Sequence, residues 1–293
     1  MIQMQTNDFE KISPTAFMVS SFRGLTDIPY AKELAQQAEA QLINKSLPQP
    51  KEKPVGLAIH LEARYKAINQ VIAQYPITQV LEIASGLLPR GLVMSCDPNI
   101  TFIESDLPEM ITYKHQQVQQ LVGKRANLHF LEIDATHPSN EFFKSINYLT
   151  PRQPVMIVCE GLLMYLTPSE KQQLCANVRE ILKAYSGVWI TPDFISDVGF
   201  KQSLQNNVRL QAQIQSIQSF TDRVDSENYG FFETPEQAQQ FACEQGFQVT
   251  EYSLTNVVNQ LSGIEVLGID PEIARQILAG QSVFAMTLDT VDC

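Results

Sequence analysis

Long apolar runs are missing from this 293-residue chain. No uninterrupted stretch is long enough to span a bilayer. The opening MIQMQTNDFEK also has no basic region followed by an apolar block. No membrane partner is therefore expected. Paired cysteines are missing too: Cys96, Cys159, Cys175, Cys243 and Cys293 are widely spaced, odd in number and form no C-x-x-C motif. That usage points to reduced thiols in a cytoplasmic setting, with Cys159, inside an apolar run, a small buried hydrophobe. Basic charge is scarce: 21 Lys and Arg stand against 32 Asp and Glu, for a net charge of −11. With no basic run to meet phosphates, a nucleic-acid partner is not expected. His60, His115, His129 and His137 lack metal-ligand spacing, so no metal is expected. Three glycine motifs are absent as well: G-x-G-x-x-G for dinucleotides, a phosphate loop ending in Lys and Ser or Thr, and the G-x-S-x-G elbow of hydrolases.

What remains is an ordinary globular composition, 44% hydrophobic and 18% charged, enough to bury a real core. Five strand-like runs stand out: Gln79–Ala84, Ile100–Ser105, Leu128–Asp134, Val155–Glu160 and Gly187–Pro192. Helical or polar segments separate them, which predicts βαβ units around a parallel sheet. The run PVMIVCEGLLMYL is apolar except for Glu160, as a central strand covered on both faces requires. Phe247–Leu254 and Ser282–Asp289 supply two closing strands. The fold class is thus α/β, a doubly wound, Rossmann-like sheet of seven strands.

Helix starts are legible. Thr167-Pro168-Ser169-Glu170 is a capping box with proline at the first helical position, followed by Leu174, Val178, Ile181 and Leu182 on one face. Thr234-Pro235-Glu236-Gln237 repeats the device, with Ala238, Phe241 and Ala242 inward. Asp270-Pro271 opens a third helix carrying Ile273, Ile277 and Leu278. Residues 1–78 lack strands; Val55–Tyr75 reads as a long helix, and the segment as an N-terminal helical lid. Residues 79–293 form the core, and the Gln/Asn-rich stretch 196–230 reads as an inserted helical cap over the substrate.

The stretch VLEIASGLLPRG, Val80 to Gly91, breaks a parallel strand into a small-residue turn. Such a loop suits a nucleoside cofactor approached without phosphate contacts, which points to S-adenosylmethionine rather than NAD or ATP. With FIESDLPEMITYK, LEIDAT and CEGLLMYLTPSE, in this order, it resembles the leucine carboxyl methyltransferase family of S-adenosylmethionine-dependent O-methyltransferases. The resemblance covers roughly Val55 to Trp189, and implies the seven-stranded methyltransferase variant of the doubly wound sheet.

Site residues follow from strand ends and from that resemblance. Gly86 lets backbone approach the cofactor's methionine part; Ala84 stands where relatives usually carry glycine, making the turn slightly bulkier. Glu82 is a candidate for the cofactor's ammonium or for local backbone. Asp106 ends the second strand, where an acid accepts from ribose hydroxyls; it also reads as a helix cap, and Glu104 is the alternative two residues away. The resemblance places Asp134 and Ala135 beside the adenine ring. It places Glu160 and Gly161 at the methionine part and the methyl-transfer site, where a buried carboxylate needs a cation, either the ammonium or an arginine. Tyr165 belongs to the same motif, and with Glu160 is the candidate for the catalytic step. Arg64 resembles the family's arginine for the cofactor carboxylate, with Arg23 and Arg90 as further candidates. Tyr113, Tyr229, Phe231 and Phe232 are candidates for the acceptor pocket.

The expected activity is in-line methyl transfer from S-adenosylmethionine to an oxygen acceptor, leaving S-adenosylhomocysteine. A carboxylate acceptor needs no general base, and no residue is marked as one. A small molecule and a peptide terminus both remain open as acceptor. The rival readings are a binding protein that has lost turnover and an NAD-dependent oxidoreductase.

Overall fold

The computed structural model describes residues 13–44, 55–138, 142, 147–196 and 232–289. Strands β1 (Gln79–Ile83), β2 (Thr101–Asp106), β3 (Leu128–Glu132), β4 (Val155–Cys159) and β5 (Gly187–Thr191) run parallel, each within two residues of its sequence-derived bounds. β6 (Phe247–Ser253) and β7 (Ser282–Leu288) close the sheet, with β7 antiparallel to β5 and to β6. The order is β3-β2-β1-β4-β5-β7-β6. Strand order reverses between β1 and β4, and open sheets of this kind bind ligands at the carboxyl ends flanking that point.

Every residue of β1 and β4 is buried, because helices cover both faces. Successive strand residues point to opposite faces. Val80, Phe102, Met156 and Val188 pack with Ile59, Ile68 and Val71 of α3 (Val55–Ile72) and Ile277 of α9 (Pro271–Leu278). Leu81, Ile103, Ile157 and Trp189 pack with Leu174, Val178 and Ile181 of α6 (Pro168–Tyr185) and Ala238 and Ala242 of α7 (Pro235–Glu244). Helix α3, grouped with the lid on sequence grounds, therefore lies directly against the sheet. Ahead of it, α1 (Ser13–Arg23) and α2 (Ala31–Asn44) pack on one another, and α2 meets α5 (Pro108–Val122), which flanks β2 and β3.

The sequence-derived caps are present. Thr167 and Glu170 form the reciprocal capping box of α6, Thr234 accepts from Gln237 N–H, and Asp270 accepts from Glu272 N–H. One inward assignment is corrected. Ile273 is 44% exposed, because α9 turns Ala274, Ile277 and Leu278 to the core and leaves the preceding residue outside. Between β6 and α9 lie a 3-10 turn, Leu254–Gln260, and α8 (Ser262–Leu267), neither foreseen. The buried Glu62 of α3 accepts from Ser262 N–H, Ser262 Oγ and Gly263 N–H at 2.8 to 2.9 Å, which ties α8 to the first layer. Lys66 pairs with both Glu62 and Asp27 at 2.7 Å and extends this tie toward α1. The proposed cap 196–230 lies outside the described residues except for Ser196, which a β-bridge joins to Phe232 beyond the insert. Among the described residues no helix is long and apolar enough to cross a membrane.

Candidate functional site

Acids stand at the ends of β1, β2, β4 and β5, where the strands stop and the chain turns. At β4 this is Glu160, whose side chain is fully buried. Arg23 of α1 donates to its Oε1 at 2.8 Å, and Arg90 of α4 (Arg90–Met94) donates to its Oε2 at 3.3 Å. Arg64 of α3 lies 3.4 Å from Oε1. Burial alone would raise the Glu160 carboxyl, yet these three guanidiniums together hold it below the usual range. The sequence-stated need for a cation at Glu160 is thus met by arginines from three helices.

Glu82 ends up one step further back. Its Oε1 accepts from Arg90 Nη1 at 2.6 Å, and Arg90 is itself wholly buried, stacked 4.8 Å over the Tyr65 ring and bonded to Asn69. Glu82 therefore orients Arg90, which orients Glu160. Asp193, two residues after β5, escaped the sequence reading. Its Oδ1 accepts from Gly161 N–H at 2.8 Å; its Oδ2 accepts from Leu162 and Leu163 N–H at 2.7 and 3.2 Å. Arg64 lies 3.7 Å from the same carboxylate. Burial raises the Asp193 carboxyl, and Arg64 with the three backbone donors opposes that. Gly161, at φ +82, makes the turn that presents those donors. Three acids and three arginines thus balance in charge, which suits a zwitterionic headgroup better than a bare anion.

At β2 the pattern differs. Asp106 Oδ2 accepts from Gly86 N–H at 2.7 Å and Oδ1 from Leu107 N–H at 2.8 Å. It does not cap α5 through its side chain; Leu107 occupies that position uncapped. Instead it clamps the turn after β1, where Gly86 takes φ +46 and Ala84 takes φ +53. Burial raises its carboxyl against the lowering effect of the two N–H donors. Each carboxylate oxygen has a second lone pair. Asp106, half-buried, can therefore hold the turn and still accept from two hydroxyls. Beneath it, Lys114 reaches Glu104 Oε2 at 2.6 Å and Ser85 C=O at 3.3 Å, with both side chains fully buried. Burial lifts the Glu104 carboxyl to about 7 even beside Lys114. Glu104 is thus a support under the turn, pointing away from solvent.

The structure joins most of the sequence candidates but not all. Glu82, Ala84, Gly86, Asp106, Glu160, Gly161, Arg23, Arg64 and Arg90 converge on the ends of β1, β2 and β4. Asp134 folds over Thr136, accepting from its N–H and hydroxyl at 2.8 and 2.7 Å. The buried Ala135 gives its C=O to Asn177. Both adjoin Asp106 through the Ile133 N–H to Asp106 C=O bond at 2.9 Å. Tyr165 sits half-buried in the 3-10 turn after β4. Tyr113 donates to Gln37 C=O and packs edge-on against Phe17, while Phe232 stacks on Phe194. Tyr229 and Phe231 lie outside the described residues. Cys159 is fully buried, and burial pushes its thiol up, as an inert hydrophobe should behave.

The residues present fit a methionine-bearing nucleoside. Arg23 and Arg64 each keep a buried Nε with no hydrogen-bond partner, and Arg64 sits at the long distances given above. Guanidinium capacity is therefore left for a carboxylate.

Comparison with known proteins points the same way. The profile described as leucine carboxyl methyltransferase matches residues 15–179, more than half of the chain. A Mycobacterium marinum protein provisionally named an S-adenosyl-L-methionine-dependent methyltransferase is 21% identical over 286 residues, covering 89% of this chain and 87% of its own. Among solved structures, a DUF574-family protein of Streptomyces avermitilis superposes with a TM-score of 0.56 at 14% identity, over 94% of this chain and 97% of the other. A provisionally named methyltransferase of Thermobifida fusca gives 0.52 at 16% identity, over 93% and 94%. At such identities these two structures establish the fold alone.

Proposed function

The chain belongs to the leucine carboxyl methyltransferase family, and we propose that it transfers a methyl group to a carboxylate oxygen. It is an S-adenosylmethionine-dependent methyltransferase. When bound, that cofactor would supply a methyl group on a sulfonium, ready to pass to an oxygen nucleophile with S-adenosylhomocysteine as the leaving group. The residues of this chain bind, align and exclude water. Arg64, with Arg23 beside it, is assigned to the cofactor carboxylate, and the backbone of Glu160 and Gly161 to its ammonium side. Asp106 is assigned to the ribose diol, and the turn from Ala84 to Gly86 lies under the methionine part. Asp134 and Ala135 remain assigned to the adenine edge, and Tyr165 to the methyl-transfer side.

One observation carries the choice of carboxylate. Two titratable groups beside Arg64, Glu160 and His60, are tuned away from removing a proton. Three arginines hold Glu160 ionised and weakly basic, as described above. Burial and Arg64 push His60 down to about 3. Asp193 spends its oxygens on three backbone donors. A phenol or alcohol would need a base with a pKa near neutrality, whereas a carboxylic acid arrives ionised. Alignment then supplies the acceleration, on the order of 7–11 kcal/mol for well-oriented reactants.

The test uses S-adenosylmethionine labelled in its methyl group and a panel of carboxylic acids, phenols and alcohols. Label should enter the acids as a product that mild alkali releases as methanol, the mark of an ester. Label confined to alkali-stable ethers would reject the carboxylate reading while leaving the methyltransferase standing.

A further inference from the structure

Next to the charge network lies a cavity of about 290 Å³ that no step above has used. It sits at the carboxyl edge of β5 and the β6–β7 pair, between α3 and α7. Arg64 belongs to both places: it lines the cavity and also meets Glu160 and Asp193. His60, one turn before Arg64 on the same helix, lines the same inner end. Among the described residues nothing hydrogen-bonds or ion-pairs with His60. Its imidazole stays neutral beside the arginines and offers one donor and one acceptor to the cavity.

The walls change character outward. Phe194, Leu254 and Phe284 give the middle an apolar lining. Glu236 and Glu251, both exposed, stand at the rim. Glu251 Oε1 is held by Ser282 Oγ at 2.6 Å. A cavity of roughly 150 Å³ accommodates benzene, so this one has room for a substituted ring with a polar group at each end.

We propose that this cavity takes the methyl acceptor, and that the acceptor is a small molecule with oppositely charged ends. Its oxygen-bearing end meets His60 and Arg64, its ring-sized apolar body lies against Phe194 and Phe284, and a cationic end faces Glu251 and Glu236. This rests on the methyltransferase reading and adds to it the size and charge order of the substrate. The rim acids act as a filter, since a like charge brought against them is penalised while an ammonium is held.

Three probes of one shape test it: para-aminomethylbenzoate, benzoate and terephthalate, followed by saturation-transfer NMR with S-adenosylhomocysteine present. The expected order of affinity is aminomethylbenzoate, benzoate, terephthalate, with about a fivefold step where an exposed charge pair is gained or lost. Glu251→Gln, at an exposed position, should shrink the first step, and His60→Phe should weaken all three probes. Equal affinity of the three, a first step undiminished by Glu251→Gln, or no binding at millimolar probe each overturn the proposal. Calorimetry with S-adenosylhomocysteine on the same samples separates the two levels. A protein that binds it but fails the probe order refutes the cavity assignment alone. A protein that does not bind it refutes the underlying reading, and this inference with it.

Discussion

The ends of β4 and β2 solve the same problem in different ways. Each leaves a carboxylate at the rim of a buried strand, where an isolated ion would be costly. At β4 the answer comes from far away in sequence: Glu160 is surrounded by guanidiniums from Arg23, Arg64 and Arg90. At β2 it comes from backbone, as Asp106 takes the N–H groups of Gly86 and Leu107. The first arrangement fixes a charge and stiffens the layer between lid and sheet. The second spends only half of the oxygen lone pairs, and so leaves the acid able to serve a ligand.

Breaking the β4 side should therefore cost stability first. Glu160→Gln leaves the buried Arg23 guanidinium without a carboxylate and takes one of two from Arg64 and Arg90. It should lower unfolding free energy by about 3–5 kcal/mol, read from urea denaturation. A loss under 1 kcal/mol would mean the network is solvated in solution and the contrast is false.

Breaking the β2 side should cost ligand affinity first. Asp106→Ala should weaken S-adenosylhomocysteine binding by about 1–3 kcal/mol through lost charge-assisted bonds. An unchanged dissociation constant would reject the ribose assignment.

Glu104 sharpens the comparison through pH. Its folded pKa, near 7, lies above its ordinary value. Its contribution is therefore complete in acid and is lost as pH rises through 7. The difference in stability between the protein and Glu104→Gln should change between pH 5 and 8, by at most ~1.4 kcal/mol per pH unit for one proton. A flat difference would show that Lys114 keeps the carboxylate ionised throughout.

The smallest effect belongs to the turn itself. Ala84 holds φ +53, a region that costs a non-glycine residue roughly 1–2 kcal/mol, part of which glycine's backbone entropy takes back. Ala84→Gly should raise stability by up to about 1 kcal/mol in thermal melts. Destabilisation would mean that packing of its methyl outweighs the strain.

The same contrast explains what the sequence made legible. Strand limits, the Thr167 capping box and the acid at Asp106 are written in contiguous residues. Periodicity and local hydrogen bonding suffice to read them. The arginine cage is not local: Arg23, Arg64 and Arg90 stand up to 137 residues from Glu160, and no spacing rule joins them. Asp193 was hidden for the same reason, since its partners Gly161, Leu162 and Leu163 lie on another strand's loop. The acid in ITPDF just past a strand end was the available signal. Ile273 failed at finer grain, because an apolar residue one position off the buried stripe looks like part of it.

Calorimetric titration of S-adenosylhomocysteine into the unaltered protein and into Arg64→Met tests the central claim most directly. Saturable one-to-one binding by the first, weakened at least tenfold in the second while both melt cooperatively, is the predicted result. No heat of binding at millimolar ligand, or equal affinity in the two proteins, would contradict a cofactor gripped at these strand ends.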